Sequence, residues 1–120
     1  MELGETLKLD RWEIINAMFQ GAETPLERVV DVFFAGAEEC LERIRAGREQ
    51  SRRDWCVNAS HSLKSSSANL GLERVSVLSA HLENNAETMG AGELDQMILI
   101  LSVELGEARR AISAQMKEIL

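Results

Sequence analysis

Apolar residues recur at steps of three and four along nearly the whole chain, the spacing of one helix face and not of a strand. The clearest run is Leu26, Val30, Phe33, Ala37, Cys40 and Ile44, which steps by four and three without a miss. Val29, Phe34 and Leu41 widen it, so the pattern predicts a helix buried along its length until Gly47 ends it. Nearer the C-terminus, Leu94, Ile98, Leu101, Leu105, Ala108, Ile112 and Ile119 fit a heptad, with Met116 beside the seam. That period implies near-antiparallel packing at about 20°. A single proline and no tyrosine leave little to break helices or favour strands.

Start and stop signals divide the chain into five helices. Asp10-Arg11-Trp12-Glu13 reads as a capping box opening a short helix to about Gln20, with Trp12, Ile15 and Phe19 inward and Gly21 as its stop. Thr24 caps the second helix, Pro25 suits its first position and Glu27 reaches back to the cap. Ser51-Arg52-Arg53-Asp54 caps the third, which turns Trp55, Ala59, Leu63, Ser66 and Leu70 inward and ends or bends at Gly71. The fourth carries Val75, Leu78, Leu82, Ala86 and Met89, and Gly90-Ala91-Gly92 turns the chain into the fifth. The expected fold is all-α: an antiparallel up-down-up-down four-helix bundle with a short additional N-terminal helix. At 120 residues and 45% hydrophobic content, residues 1–120 suit a single domain with one core. The fifth helix looks longer than its partners, so its turns after Ala108 are expected to overhang.

Charge and composition narrow the partners. A net charge of −7 argues against nucleic acid or an anionic membrane as the main partner. The longest apolar run, Met97 to Leu101, is far too short to span a bilayer. Met1 to Asp10 holds Glu2 and Glu5 without a continuous apolar core, unlike a secretion signal. Cys40 and Cys56 form no Cys-x-x-Cys pair and read as reduced cytoplasmic thiols.

The chemistry concentrates around His61. On a helical wheel Ala59, Leu63 and Leu70 point away from it, while Asp54, Val57, Asn58, Lys64, Ser65 and Ala68 share its side. The imidazole therefore stands on the outward face of a half-buried helix, among short neighbours that permit close approach. Histidine is a nucleophile near neutral pH, and Lys64, one turn on, adds a mobile cation beside it. The chain holds no phosphate-cradling Gly-rich loop and no acidic cluster with nucleotide-binding spacing. His81 lies beside the Leu78–Leu82 stripe without such surroundings and reads as a packed or boundary histidine.

The stretch His61-Ser62-Leu63-Lys64-Ser65-Ser66-Ser67-Ala68-Asn69-Leu70-Gly71 resembles the histidine-containing phosphotransfer (HPt) domain family, whose signature is His-x-Leu-Lys-Gly-Ser-Ser followed by Asn-Leu-Gly. Ser65 departs from it, standing where the family usually has glycine. Leu72-Glu73 and Leu82-Glu83 also sit where such domains commonly carry a similar pattern. The resemblance implies that His61 is phosphorylated by a receiver-domain aspartate and passes the group to another receiver in a multistep phosphorelay. It implies Lys64 as electrostatic helper and no cofactor on this chain, with Mg2+ expected on the receiver. Asn58, Ser65, Ala68 and Val57 fall in the expected contact surface. The implied partners are receivers of response regulators and hybrid histidine kinases, the implied state is a monomer, and no ATP-dependent kinase activity of its own is expected.

Three other readings stand beside it. A di-iron-type bundle needs Glu-x-x-His motifs, and here Asn58 and Leu78 occupy those positions. A noncatalytic receiver-binding bundle is compatible with Ser65, though His61 and Lys64 count against it. A phosphoacceptor domain of a larger histidine kinase would carry the same motif.

Overall fold

A computed structural model describes residues 2–119, with side chains described up to Met116. Five helices follow one another, with no strand among the described residues: α1 (Leu9–Phe19), α2 (Leu26–Glu49), α3 (Arg53–Asn69), α4 (Glu73–Asn85) and α5 (Ala91–Ile119). α2 packs on α3 and α5, and α4 packs on the same two helices, so the four close a ring around one core. α3 and α5 stand diagonally across that ring.

The buried faces follow the expected stripes with small rotations. On α5, Leu94, Ile98, Leu101, Leu105, Ala108 and Ile112 are all buried, joined by Met97. Ile112 is wholly enclosed, so the expected overhang does not begin at Ala108. Met116 packs at the margin of the core, and the side chain of Ile119 lies outside the described residues. On α2 the buried line is Val30, Phe34, Ala37, Leu41 and Ile44, while Leu26, Phe33 and Cys40 are only half-buried. The helix turns so that Phe33 meets Phe34 edge-to-face at 4.9 Å and borders solvent. On α3 the enclosed residues are Cys56, Ser60, Leu63 and Ser67, with Ala59. Trp55 and Ser66 are half-buried instead, and the guanidinium groups of Arg43 and Arg52 lie over the Trp55 ring, 5.0 and 4.9 Å from its centroid.

Tertiary contacts, not side-chain caps, place several helix ends. α1 begins at Leu9 with Lys8 at its cap, and Asp10 lies inside the first turn, where its charge suits the helix dipole. The anchor is the Lys8 amide, which donates to the Gly71 carbonyl at 2.8 Å. α2 begins at Leu26 with Pro25 at the cap position in an extended conformation, and Thr24 makes no cap bond. Gly47 does not end α2, which runs on to Glu49. It is buried, and a Cβ there would lie 2.6 Å from the Arg52 carbonyl oxygen, so the position has room only for glycine. Ser51 stands outside α3 at φ 56°, and the helix starts at Arg53. Gly71 does close α3, at φ +72°, with the Leu72 amide donating to the Ser67 carbonyl at 3.0 Å. Gly92 lies within α5 rather than in the turn before it.

Polar ties fix the ring. Arg53 donates to the carbonyls of Ala86 and Met89 at 2.6 and 2.7 Å, closing the C-terminal end of α4. Arg48 binds Asp95 through two hydrogen bonds of 2.9 and 3.2 Å, joining α2 to α5. Both cysteines are free thiols, and burial pushes each above its usual pKa, which keeps them unreactive. No helix among the described residues is long and apolar enough to cross a membrane.

Candidate functional site

α3 and α4 come close because their contact is built from short side chains. Ser60 and Ser67 of α3 and Ser79 of α4 are fully buried. Ser67 donates to the Leu63 carbonyl at 2.6 Å, and Ser76 of α4 donates to the Lys64 carbonyl at 3.1 Å. Large residues at these positions would hold the helices apart. The close approach brings Glu83 of α4 against the outward face of α3.

Glu83 is the residue that organises this face. His61 is 63% exposed at its side chain, and its Nδ1 lies 2.5 Å from Glu83 Oε1. Lys64 Nζ lies 2.6 Å from the other oxygen, Oε2. The Lys64 ammonium first, and His61 second, hold the Glu83 carboxyl below the usual carboxylate range, so it is ionised at neutral pH. An ionised carboxylate only accepts hydrogen bonds, which puts a hydrogen on Nδ1, so that in the neutral ring the lone pair lies on Nε2. The arrangement supplies an oriented nucleophile with a cation within one helical turn.

The other residues singled out in the sequence take varied places. Ser65 and Ala68 are exposed on the His61 side of α3, and Val57 is half-buried one turn before it. Asn58 is exposed but borders a neighbouring depression of about 250 Å³ with Ser62 of α3 and Gly36, Glu39 and Arg43 of α2. None of these four touches His61 through a side-chain hydrogen bond among the described residues. His81 is half-buried, with the Asn85 amide donating to its carbonyl at 2.8 Å, the boundary role expected. Beside the His61 face, α2 and α3 enclose a largely apolar groove of about 510 Å³, bordered by Val29, Val32, Phe33, Ser66 and Leu70.

Sequence spacing did not single out Glu83 or this groove as parts of the site. Glu83 lies 22 residues beyond His61 on another helix, and the only local signal was the Leu82-Glu83 pair noted with the resemblance. Wheel geometry places neighbours on one helix and is blind to what the next helix brings. Among the described residues no group of three His, Cys, Asp or Glu side chains gathers to hold a metal ion.

Comparison with known proteins gives a family. No curated protein and no solved structure matches the chain. The family model described as Hpt domain matches residues 28–117, three quarters of the sequence, and covers α3, α4 and the His61 motif. With that match over an all-helical fold, the chain belongs to the Hpt domain family, the histidine phosphotransfer modules of two-component signalling.

Proposed function

We propose that the chain accepts a phosphoryl group on His61 from the aspartate of one receiver domain and passes it to another, in a multistep phosphorelay. The observation that carries this reading is the outward His61 ring, bound through Nδ1 by Glu83 and flanked by Lys64. In the transfer, the Nε2 lone pair attacks phosphorus in line, and the bond from phosphorus to the aspartate oxygen breaks. The aspartate carboxylate leaves with the bonding pair. The Nδ1 hydrogen stays on the ring, and the Glu83 carboxylate offsets the positive charge the ring gains. Lys64 turns from Glu83 towards the phosphoryl oxygens as a point charge. A second receiver reverses each change and regenerates the free ring.

Val57, Asn58, Ser65 and Ala68 frame the ring as contact positions. The short side chains of Ser65 and Ala68 let the receiver's pocket close over His61 and exclude water. The receiver brings the Mg2+; this chain needs no cofactor in the reaction. The apolar groove between α2 and α3 suits a helix of the docking receiver. Two unreactive free thiols agree with a cytoplasmic setting. The finer architecture we infer is the antiparallel up-down-up-down bundle of α2 to α5, with α1 as the additional helix.

The test is transfer of labelled phosphate from a panel of phosphorylated receivers to wild type and to His61→Gln. Wild type should take acid-labile, alkali-stable label, and His61→Gln none. The variant should keep its helical content, because the replaced side chain is 63% exposed. Receiver binding without any label would favour the noncatalytic bundle, and labelling only by an ATP-binding kinase domain would favour the larger-kinase reading.

A further inference from the structure

One apolar surface is used neither by the core nor by the His61 face. On α5, Leu99 is 63% exposed, Ile100 41% and Val103 54%. Single exposed aliphatics are ordinary, but three adjacent ones on one helix face form a patch. They lie opposite the buried seam of Leu94, Leu101, Leu105 and Ile112. Along the same face Glu93, Gln96, Ile100, Val103, Glu107 and Arg110 step by three and four, a second heptad seam back to back with the first.

The two ends of this seam carry opposite charges, Glu93 at one and Arg110 at the other. Glu93 lies seven residues before Ile100, and Arg110 lies seven residues after Val103. An identical helix turned antiparallel about the midpoint of Ile100 and Val103 sets Ile100 on the partner's Val103 and Gln96 on the partner's Glu107. It also sets Glu93 on the partner's Arg110, so opposite charges meet at both ends of the apolar centre. A parallel pair would instead stack Glu93 on the partner's Glu93 and Arg110 on the partner's Arg110. Glu93 forms no ion pair among the described residues, and Arg110, 71% exposed at its side chain, meets only Glu107 of its own helix there.

We propose that α5 is a self-association surface on which a second copy of this chain docks antiparallel about a two-fold axis. Ile100, Val103 and Leu99 form its centre, and the Glu93–Arg110 pairs fix its direction. The seam from Glu93 to Arg110 is about 26 Å long at the rise of an α-helix. Because α5 stands across the ring from α3, both His61 rings of the dimer face outward and stay accessible. The dimer departs from the monomer implied by the family resemblance.

Sedimentation velocity of the full chain over a concentration series tests this. The wild-type mass should rise from 13.4 kDa towards twice that value. Val103→Glu should stay monomeric, and so should Glu93→Arg, which faces the partner's Arg110 with like charge. Combining Glu93→Arg with Arg110→Glu should restore the dimer, and thermal melts should show each variant folded. A wild-type chain monomeric across the series overturns the proposal and leaves the face to another occupant, such as a neighbouring domain. A dimer indifferent to Val103→Glu, or one the double reversal fails to restore, overturns it equally. Label uptake by His61 should be unchanged in Val103→Glu, so the two readings fail separately.

Discussion

Glu83 spends both carboxylate oxygens on α3, one on His61 Nδ1 and one on Lys64 Nζ. In the proposed transfer that makes it a positioning residue, acting through the ring it orients. Replacing it with glutamine keeps an acceptor but removes the charge that supports the ring and holds Lys64. Glu83→Gln should therefore slow phosphoryl uptake on the order of 10-fold, as for other partners that orient a histidine, with little change in helicity. Rapid-quench transfer with circular dichroism checks both. The pH dependence has a definite sign. A carboxyl held below its ordinary range stabilises the fold fully above that range, and the contribution is lost only as pH falls through the lowered value. Carbon NMR should find Glu83 titrating below the ordinary carboxylate range. Lys64→Ala should move it upward more than His61→Gln does, because the ammonium is the larger cause. Equal shifts would mean the two partners had been ranked wrongly.

At the scale of helices, small residues decide how close elements come. Gly47 reads from sequence as a stop, since glycine is a poor helix former. In the fold it is a helical residue pressed against the start of α3, with an added Cβ 2.6 Å from the Arg52 carbonyl oxygen and 2.9 Å from Cys56 Sγ. Gly47→Ala should thus destabilise by about 1–3 kcal/mol through overpacking. Gly36, on the same helix, faces open space. Gly36→Ala should stabilise by about 0.5–1 kcal/mol through helix propensity. Urea unfolding of the two variants separates the cases, and equal signs would contradict the packing argument. The same distinction explains Ser60, Ser67 and Ser79. A serine on a wheel looks like surface, yet these three, on the closely packed helices α3 and α4, are fully buried.

For the molecule as a whole, α1 precedes the family-matched span, which begins at residue 28, yet it is part of the core. Trp12 is 1% exposed and Ile15 4%, and the preceding segment ties to the start of α4 through the Arg74 amide and the Glu5 carbonyl at 3.1 Å. Trp12→Ala should cost about 3–5 kcal/mol, read as a lower urea midpoint. A near-neutral result would show α1 to be an appendage. Periodicity and local chemistry carry five helices, most of their buried faces, the turn at Gly71 and the outward placement of His61. Those follow from bond geometry within one helix, where residues three and four apart share a face whatever the rest of the chain does. Packing between helices sets where α1 and α2 begin, keeps Gly47 helical, and brings Glu83 to His61 and Lys64. Each depends on a contact between segments far apart in sequence, and such a contact exists only once the helices have packed.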